Sequence, residues 1–242
     1  QYAMDDLKTL GLLKMDFLAL RTLTVMQKTI SLVQEDCGEC LDLDAVPLHD
    51  EKTYDMLCRG DSLGVFQLES SWVRDFLREL RPRNLTDIIA AVALCRPGPM
   101  QQIPEFIRGR AGKPKYLHPV LEPILKETYG VLVYQEQILR VAAAVAGFTL
   151  GEGDILRRAM AEKKRSLLAE SEAKFIRGAI ARGIPEDVAR QIYDLIMKFA
   201  NYGFNKNHAA PYALIAYQTA YLKANYPREF MAALLSSVAG IQ

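Results

Sequence analysis

Apolar residues at helical spacing, cut at short intervals by proline or glycine, decide most of what this chain can become. In Thr22 to Glu35, Leu23, Met26, Ile30 and Val33 recur as one face of a helix. Asp50 is placed to cap a short helix over 51–59, with Tyr54, Met56 and Leu57 inward. Ser70 or Ser71 caps a helix to about Leu80, which Arg81-Pro82 stops, because the residue before a proline is pushed out of the helical region. Thr86 caps the next, with Ile88, Ile89, Val92 and Ala93 as its apolar side. Arg96-Pro97-Gly98-Pro99 ends that helix in a rigid turn. A short helix near 102–110 follows, and a helix from Tyr134 to Gly147, rich in alanine and valine, is expected to be deeply packed. Helices are then expected over 152–164 and 166–182, from Pro185 to about Ala200, after the loop 201–209 as far as Asn225, and from Pro227 to near Ser237. The fold class predicted is mainly α, in one large or two smaller domains, which 242 residues can fill.

The exception stands at the beginning. In Leu12-Leu13-Lys14-Met15-Asp16-Phe17-Leu18, Leu13, Met15 and Phe17 alternate with Lys14 and Asp16, the pattern of a strand. Residues 1–8 read as a polar lead-in, and the start on Gln1 reads as a piece of a longer polypeptide. Gly64 to Leu68 and Tyr129 to Val133 are further extended pieces.

Composition excludes several classes. No apolar run is long enough to span a bilayer as a helix. Four cysteines are too few for a disulfide framework at this length, which fits a reducing cytosol. Cys37-Gly38-Glu39-Cys40 has the spacing of half a zinc site, but no second pair follows it, so it reads as a loop with two incidental thiols. The net charge of +1 hides an asymmetry: residues 1–70 carry 13 acidic and 6 basic side chains, a net of −7, and residues 71–242 carry 16 and 24, a net of +8. The second part is expected to face something anionic.

Three places concentrate charge. Asp154 to Arg165 holds five basic residues in nine, with Arg157 and Lys164 on one helix face and Arg158 able to pair with Glu162. Arginine suits phosphate because its fork donates two hydrogen bonds at once. Asn201 to Pro211 places Lys206 and His208 in the approach to a helix whose first turn takes Pro211. Such a helix end binds phosphate through free N–H groups, and Tyr202 and Phe204 offer flat faces for a sugar or base. The third is the basic loop 108–115 with Arg108, Arg110, Lys113 and Lys115, which reads as a nonspecific phosphate contact or a solvated loop, the solvated loop being favoured slightly.

The motifs, taken in order, carry a resemblance. Gly11 to Thr24 resembles the end of the palm in the alpha subunits of bacterial DNA polymerase III, the C family of replicative polymerases. The likeness continues through Val65-Phe66-Gln67-Leu68-Glu69-Ser70, Arg96-Pro97-Gly98-Pro99, Tyr129 to Gln137, Leu156-Arg157-Arg158-Ala159-Met160, Tyr202 to His208, and Tyr217 to Lys223. It implies that residues 1–24 end a palm of the β-type nucleotidyltransferase fold, contributing its strand, and that 25–242 form a multi-helical fingers domain. It implies a DNA-directed DNA polymerase of chromosomal replication in the cytoplasm, working on primer-template DNA and deoxynucleoside triphosphates. A sliding clamp and other replisome subunits would be met through regions outside this segment.

Residue by residue, Asp16 falls where the family keeps a metal-binding palm aspartate, and Lys14 where a palm lysine contacts the incoming triphosphate. Arg157 and Arg158 match the fingers arginine pair at the same phosphates. Tyr202 matches a tyrosine near the sugar and base, and Lys206 and His208 the end of that loop. Two Mg2+ ions are implied, their site completed by residues outside this chain, so the segment alone is expected to be inactive. Asp5-Asp6 reads as solvated. Two alternatives are a non-catalytic helical module that binds nucleic acid or protein, and an error-prone paralogue of the same family. An upstream Asp-x-Asp on a strand separates the first alternative from the enzyme.

Overall fold

A computed structural model describes residues 2–13, 15, 19–96, 98–112, 114–161, 165–199 and 203–239. Among them the chain is helical almost throughout, as its periodicity requires. The helices are α1 (Met4–Thr9), α2 (Arg21–Cys37), α3 (Glu51–Cys58), α4 (Ser71–Leu80), α5 (Leu85–Leu94), α6 (Ile103–Ala111), α7 (Glu122–Leu125), α8 (Gln135–Ala146), α9 (Leu150–Ala161), α10 (Arg165–Ala181), α11 (Glu186–Phe199), α12 (Lys206–Asn225) and α13 (Pro227–Val238). They fall into two compact units, Gln1–Leu41 with Tyr226–Gln242, and Asp42–Asn225.

In the first unit, α2 packs against α13. Val25, Met26 and Val33 of α2, and Phe230 and Ala233 of α13, are buried. Gly38, in the left-handed region at φ 72°, closes α2 by donating its N–H to Gln34 O. Two expectations change here. The polar lead-in is a helix, α1, followed by a turn in which Leu10 and Leu12 donate N–H groups to Asp6 O and Leu7 O. The strand over 12–18 is not formed at its described residues: Leu12, Leu13 and Met15 lie in no ladder and are 59, 85 and 65% exposed. A strand needs a neighbour to take its N–H and C=O groups, and no described residue supplies one.

The second unit has two packed groups of helices. In one, α12 lies on α3 and α5. Alanine dominates the buried faces, with Ala90, Ala91 and Ala93 on α5 and Ala209, Ala213, Ala216 and Ala220 on α12. Small side chains let helix axes come close. Tyr217 pins α12 to the loop before α3, donating to Pro47 O at 2.5 Å and accepting from Asp50 N at 3.1 Å. Asp50 caps α3 as expected, accepting from Thr53 N at 2.9 Å. In the other group, α8 packs on α9 and α10, and α10 on α11. They enclose one apolar cluster that includes Ile138, Val141, Val145, Phe175, Ile192 and Ile196.

Local details correct the sequence reading at four points. Asn84, not Thr86, caps α5 and accepts from Asp87 N at 3.0 Å; asparagine is the stronger N-cap. Residues 64–68 are turns rather than a strand, because Gly64 and Gln67 take positive φ. Tyr129 and Gly130 do the same, and the extended piece that follows is reduced to a single parallel bridge, Tyr134 to Phe204. Helix α12 begins at Lys206, so Pro211 lies inside it rather than in its first turn. Asn205 makes that early start possible, with its side chain accepting from His208 N at 3.2 Å.

The α8–α10 crossing yields a prediction. A Cβ on Gly178 would stand 2.1 Å from Ala146 O and 3.0 Å from Ala146 C, both backbone atoms. Helix propensity favours alanine over glycine by about 1 kcal/mol. Gly178→Ala is nevertheless expected to lower stability by about 1–3 kcal/mol in urea unfolding, because α10 must move off α8. A more stable variant would mean that the two backbones are not in close approach.

Candidate functional site

Helix α9 is anchored by Leu156, Ala159 and Met160, all buried. That places Arg157 and Arg158 at its edge, 33 and 63% exposed at the side chain. Both reach back to Asp154. Arg157 donates Nε and Nη2 to Asp154 Oδ1 at 3.0 and 2.8 Å, and Arg158 Nη2 stands 2.7 Å from Oδ2. Helical side chains lean toward the N-terminus, which favours the residue three or four earlier. Glu162, the partner expected for Arg158, and Lys164 lie outside the described residues. The bonds from Arg157, against an opposing cost of desolvation, hold the Asp154 carboxyl below its usual range. One carboxylate between two guanidinium groups leaves a surplus of positive charge on an accessible edge.

The second cluster surrounds the start of α12. The loop before it is sewn to the start of α8. Gln135 N donates to Phe204 O at 2.9 Å, Phe204 N to Val133 O at 3.2 Å, and Gln135 Nε2 to Gly203 O at 2.9 Å. Lys206 N–H is shared by both oxygens of Glu136, each at 3.1 Å. Lys206 Nζ lies 2.7 Å from Glu127 Oε2 and 5.2 Å from the centre of the Tyr134 ring. Burial pushes the Tyr134 hydroxyl well above the ordinary range of a phenol. His208 stands between Phe204 and Tyr212, at centroid distances of 5.5 and 4.4 Å, and the Arg96 guanidinium lies 4.1 Å over Phe204.

Helix α8 joins the two clusters. Its first residues hold the loop before α12, and α9 packs on it, with Gly153 so close that a Cβ there would lie 3.0 Å from Leu139 Cδ2. Leu139 is one helical turn from Gln135. Sequence reasoning missed Arg96, Glu127, Gln135, Glu136 and Tyr212 as members of this region. Four of these five stand in or beside the motifs that carry the resemblance, but a motif does not say which side chain meets which.

Lys14, Asp16 and Tyr202 lie outside the described residues. Among the described residues no three His, Cys, Asp or Glu side chains gather where they could hold a metal ion. No helix described is long and apolar enough to cross a membrane. The basic loop resolves into different parts. Arg108 pairs with Glu105 at 2.9 Å, and Arg110 turns inward, only 16% exposed, onto Asp87. Arg110 is therefore neither solvated nor a free phosphate contact.

Residues 22–183 match the family model described as the bacterial DNA polymerase III alpha subunit finger domain. Over 240 residues, 98% of this chain, it is 51% identical to DNA polymerase III subunit alpha of Halalkalibacterium halodurans, covering 22% of that protein. The same protein of Thermus aquaticus is 52% identical over 243 residues, 98% of this chain and 20% of the relative. That of Bacillus subtilis is 49% identical over 242 residues, 99% of this chain and 22% of the relative. The chain spans about a fifth of the length of these relatives.

Proposed function

Because the chain belongs to the family of bacterial DNA polymerase III alpha subunit finger domains, we propose that it is the nucleotide-gripping segment of a DNA-directed DNA polymerase. The observation that carries the reading is identity near 50% along 98–99% of the chain. Residues 1–24 would end the palm and 25–242 form the fingers. In the intact enzyme the primer 3′-hydroxyl attacks the α-phosphate of a deoxynucleoside triphosphate and pyrophosphate leaves.

Each residue then has a task. Arg157 and Arg158 meet the triphosphate, where fixed guanidinium groups neutralise charge that builds as the bond to pyrophosphate breaks. The surplus charge at Asp154 supports this, since a triphosphate can take over donors that a single carboxylate only half satisfies. Lys14 contacts the same phosphates from the palm. Tyr202 packs on the sugar and base, with Lys206 and His208 at the end of its loop. Lys206 reaches a phosphate only by releasing Glu127. Asp16 would help hold two Mg2+ ions together with carboxylates outside this segment, and the ions would supply charge neutralisation. Primer-template DNA is the partner that the net +8 of residues 71–242 would face. The clamp and other replisome subunits would bind elsewhere on the parent, in the cytoplasm.

The test is primer extension by the full-length polymerase. Wild type should add nucleotides on a template. Arg157→Ala should lower kcat/KM for the nucleotide roughly ten- to a hundredfold, the size of a lost charge-assisted hydrogen bond. An unchanged kcat/KM would remove Arg157 from the phosphates, and a full-length protein that adds no nucleotide would remove the enzyme reading.

A further inference from the structure

We propose that Gln135 and Glu136, at the start of α8, are positioning residues for the nucleotide loop that precedes α12. The proposal rests on the proposed function, in which the loop that ends at Lys206 and His208 meets the nucleotide, and adds the part of the chain that holds Gly203 to Lys206 in place.

The start of a helix calls for an anion, because its first N–H groups have no partner inside the helix and the dipole is positive there. The sequence suggested that a phosphate fills this place on α12. The structure has the protein's own carboxylate in it. Both oxygens of Glu136 accept from Lys206 N at 3.1 Å, so the helix end is already provided with its negative charge. The ammonium group of the same lysine goes to a second carboxylate, Glu127, at 2.7 Å. The start of α12 is thus an anchorage between two helices.

The anchorage fixes more than Lys206. Gln135 holds two consecutive carbonyls of the loop, that of Gly203 through Nε2 and that of Phe204 through its backbone N–H, both at 2.9 Å. Phe204 N returns a bond to Val133 O at 3.2 Å. No side chain fits at 203, where a Cβ would lie 2.7 Å from the Phe199 ring and 3.1 Å from Gln135 Cγ. The ledge itself is stiff. Gln137, 2% exposed, accepts from Val133 N at 2.9 Å and Tyr134 N at 3.0 Å and donates to Thr128 Oγ1 at 2.8 Å. Once Phe204 is placed, its ring and that of Tyr212 bracket the His208 imidazole. Tyr202 precedes the held stretch by one residue and His208 follows it by two. Three side chains in a row therefore divide the work: Gln135 holds the loop, Glu136 holds the helix start, and Gln137 holds the ledge.

A group that only holds its neighbours in place for binding should act on KM rather than on kcat. In the full-length polymerase, Glu136→Ala is expected to raise KM for the incoming nucleotide roughly tenfold, with kcat changed less than about threefold. Glu136→Gln keeps an acceptor for Lys206 N and should return KM to within about threefold of wild type. Gln135→Glu is nearly isosteric, yet turns an oxygen toward Gly203 O, so it too should raise KM. Wild-type KM in both Glu136→Ala and Gln135→Glu, in an enzyme that extends primers, overturns the positioning role and leaves the proposed function standing. A Glu136→Gln variant as impaired as Glu136→Ala also overturns it, because the charge and not the held loop would then matter. A wild-type enzyme that adds no nucleotide overturns both. If Glu136→Ala fails to fold, Gln135→Glu alone decides.

Discussion

Asp16→Asn in the full-length polymerase is expected to abolish nucleotide addition while leaving the melting temperature unchanged. The substitution removes a negative charge with almost no change of shape. At a centre that handles a triphosphate, a carboxylate repels the substrate unless it holds a cation. In the role proposed for Asp16, its loss would weaken the charge neutralisation that a bound metal supplies, which is worth several kcal/mol. About 4 kcal/mol corresponds to roughly a thousandfold in rate. The measurement is single-nucleotide incorporation with Mg2+ beside a thermal melt. Wild-type rates would remove Asp16 from the reaction centre. A fall in rate together with a fall in melting temperature would show a structural part instead. Lys14, two residues earlier, gives a contrast: losing the phosphate contact proposed for it should weaken nucleotide binding before it stops the chemistry.

Asp87→Ala carries the largest expected cost to the fold, about 3–5 kcal/mol, because it removes a buried carboxylate and leaves the half-buried Arg110 guanidinium without its partner. Asp87 is 3% exposed. It accepts both Nη1 and Nη2 of Arg110, the latter at 2.9 Å, and Arg83 N at 2.9 Å. Arg110 in turn donates to Tyr129 OH at 3.0 Å and Arg81 O at 3.1 Å. The pair therefore ties α5, α6, the turn at Tyr129 and the end of α4 together. A loss of that size should lower the melting temperature by on the order of 10 °C. Replacing both partners by apolar side chains, Asp87→Leu with Arg110→Met, should cost less than Asp87→Ala alone, since no charge is then left buried. Equal losses in the two variants would mean that the stranded charge is not what costs stability.

Much of the architecture was legible because it is local. The cap at Asp50, the stop at Arg81-Pro82 and the start at Pro227 are decided within a few residues, and the structure keeps them. The misreadings were also local, but each turned on a competition. Asn84 won the capping of α5 from Thr86, and Asn205 started α12 five residues before Pro211 would have. At 64–68 and 129–133 the apolar residues suggested extended chain, but Gly64, Gln67, Tyr129 and Gly130 turn the backbone through positive φ.

The candidate site divides in the same way. The guanidinium pair on α9 could be found from the sequence, because two adjacent arginines on a helix with Leu156, Ala159 and Met160 buried must stand at its edge. Their partner could be found as well, since Asp154 is three and four residues away. The anchorage of α12 could not. Glu136 and Lys206 are 70 residues apart, Glu127 and Lys206 are 79, and Asp87 and Arg110 are 23.

The sequence by itself determined the helices, most of their ends and, through the order of its motifs, the family. Helical periodicity and capping act over three or four residues, so they can be read along the chain. Only the tertiary structure decided which charges meet. It turned Arg110 from a solvated cation into a half-buried one paired with Asp87, and made Glu136 the anion at the start of α12. It also reversed the sign expected at Gly178, where local propensity asks for alanine and the backbone of Ala146 forbids it. These outcomes depend on how helices cross, and a crossing is set by the shapes of two faces together.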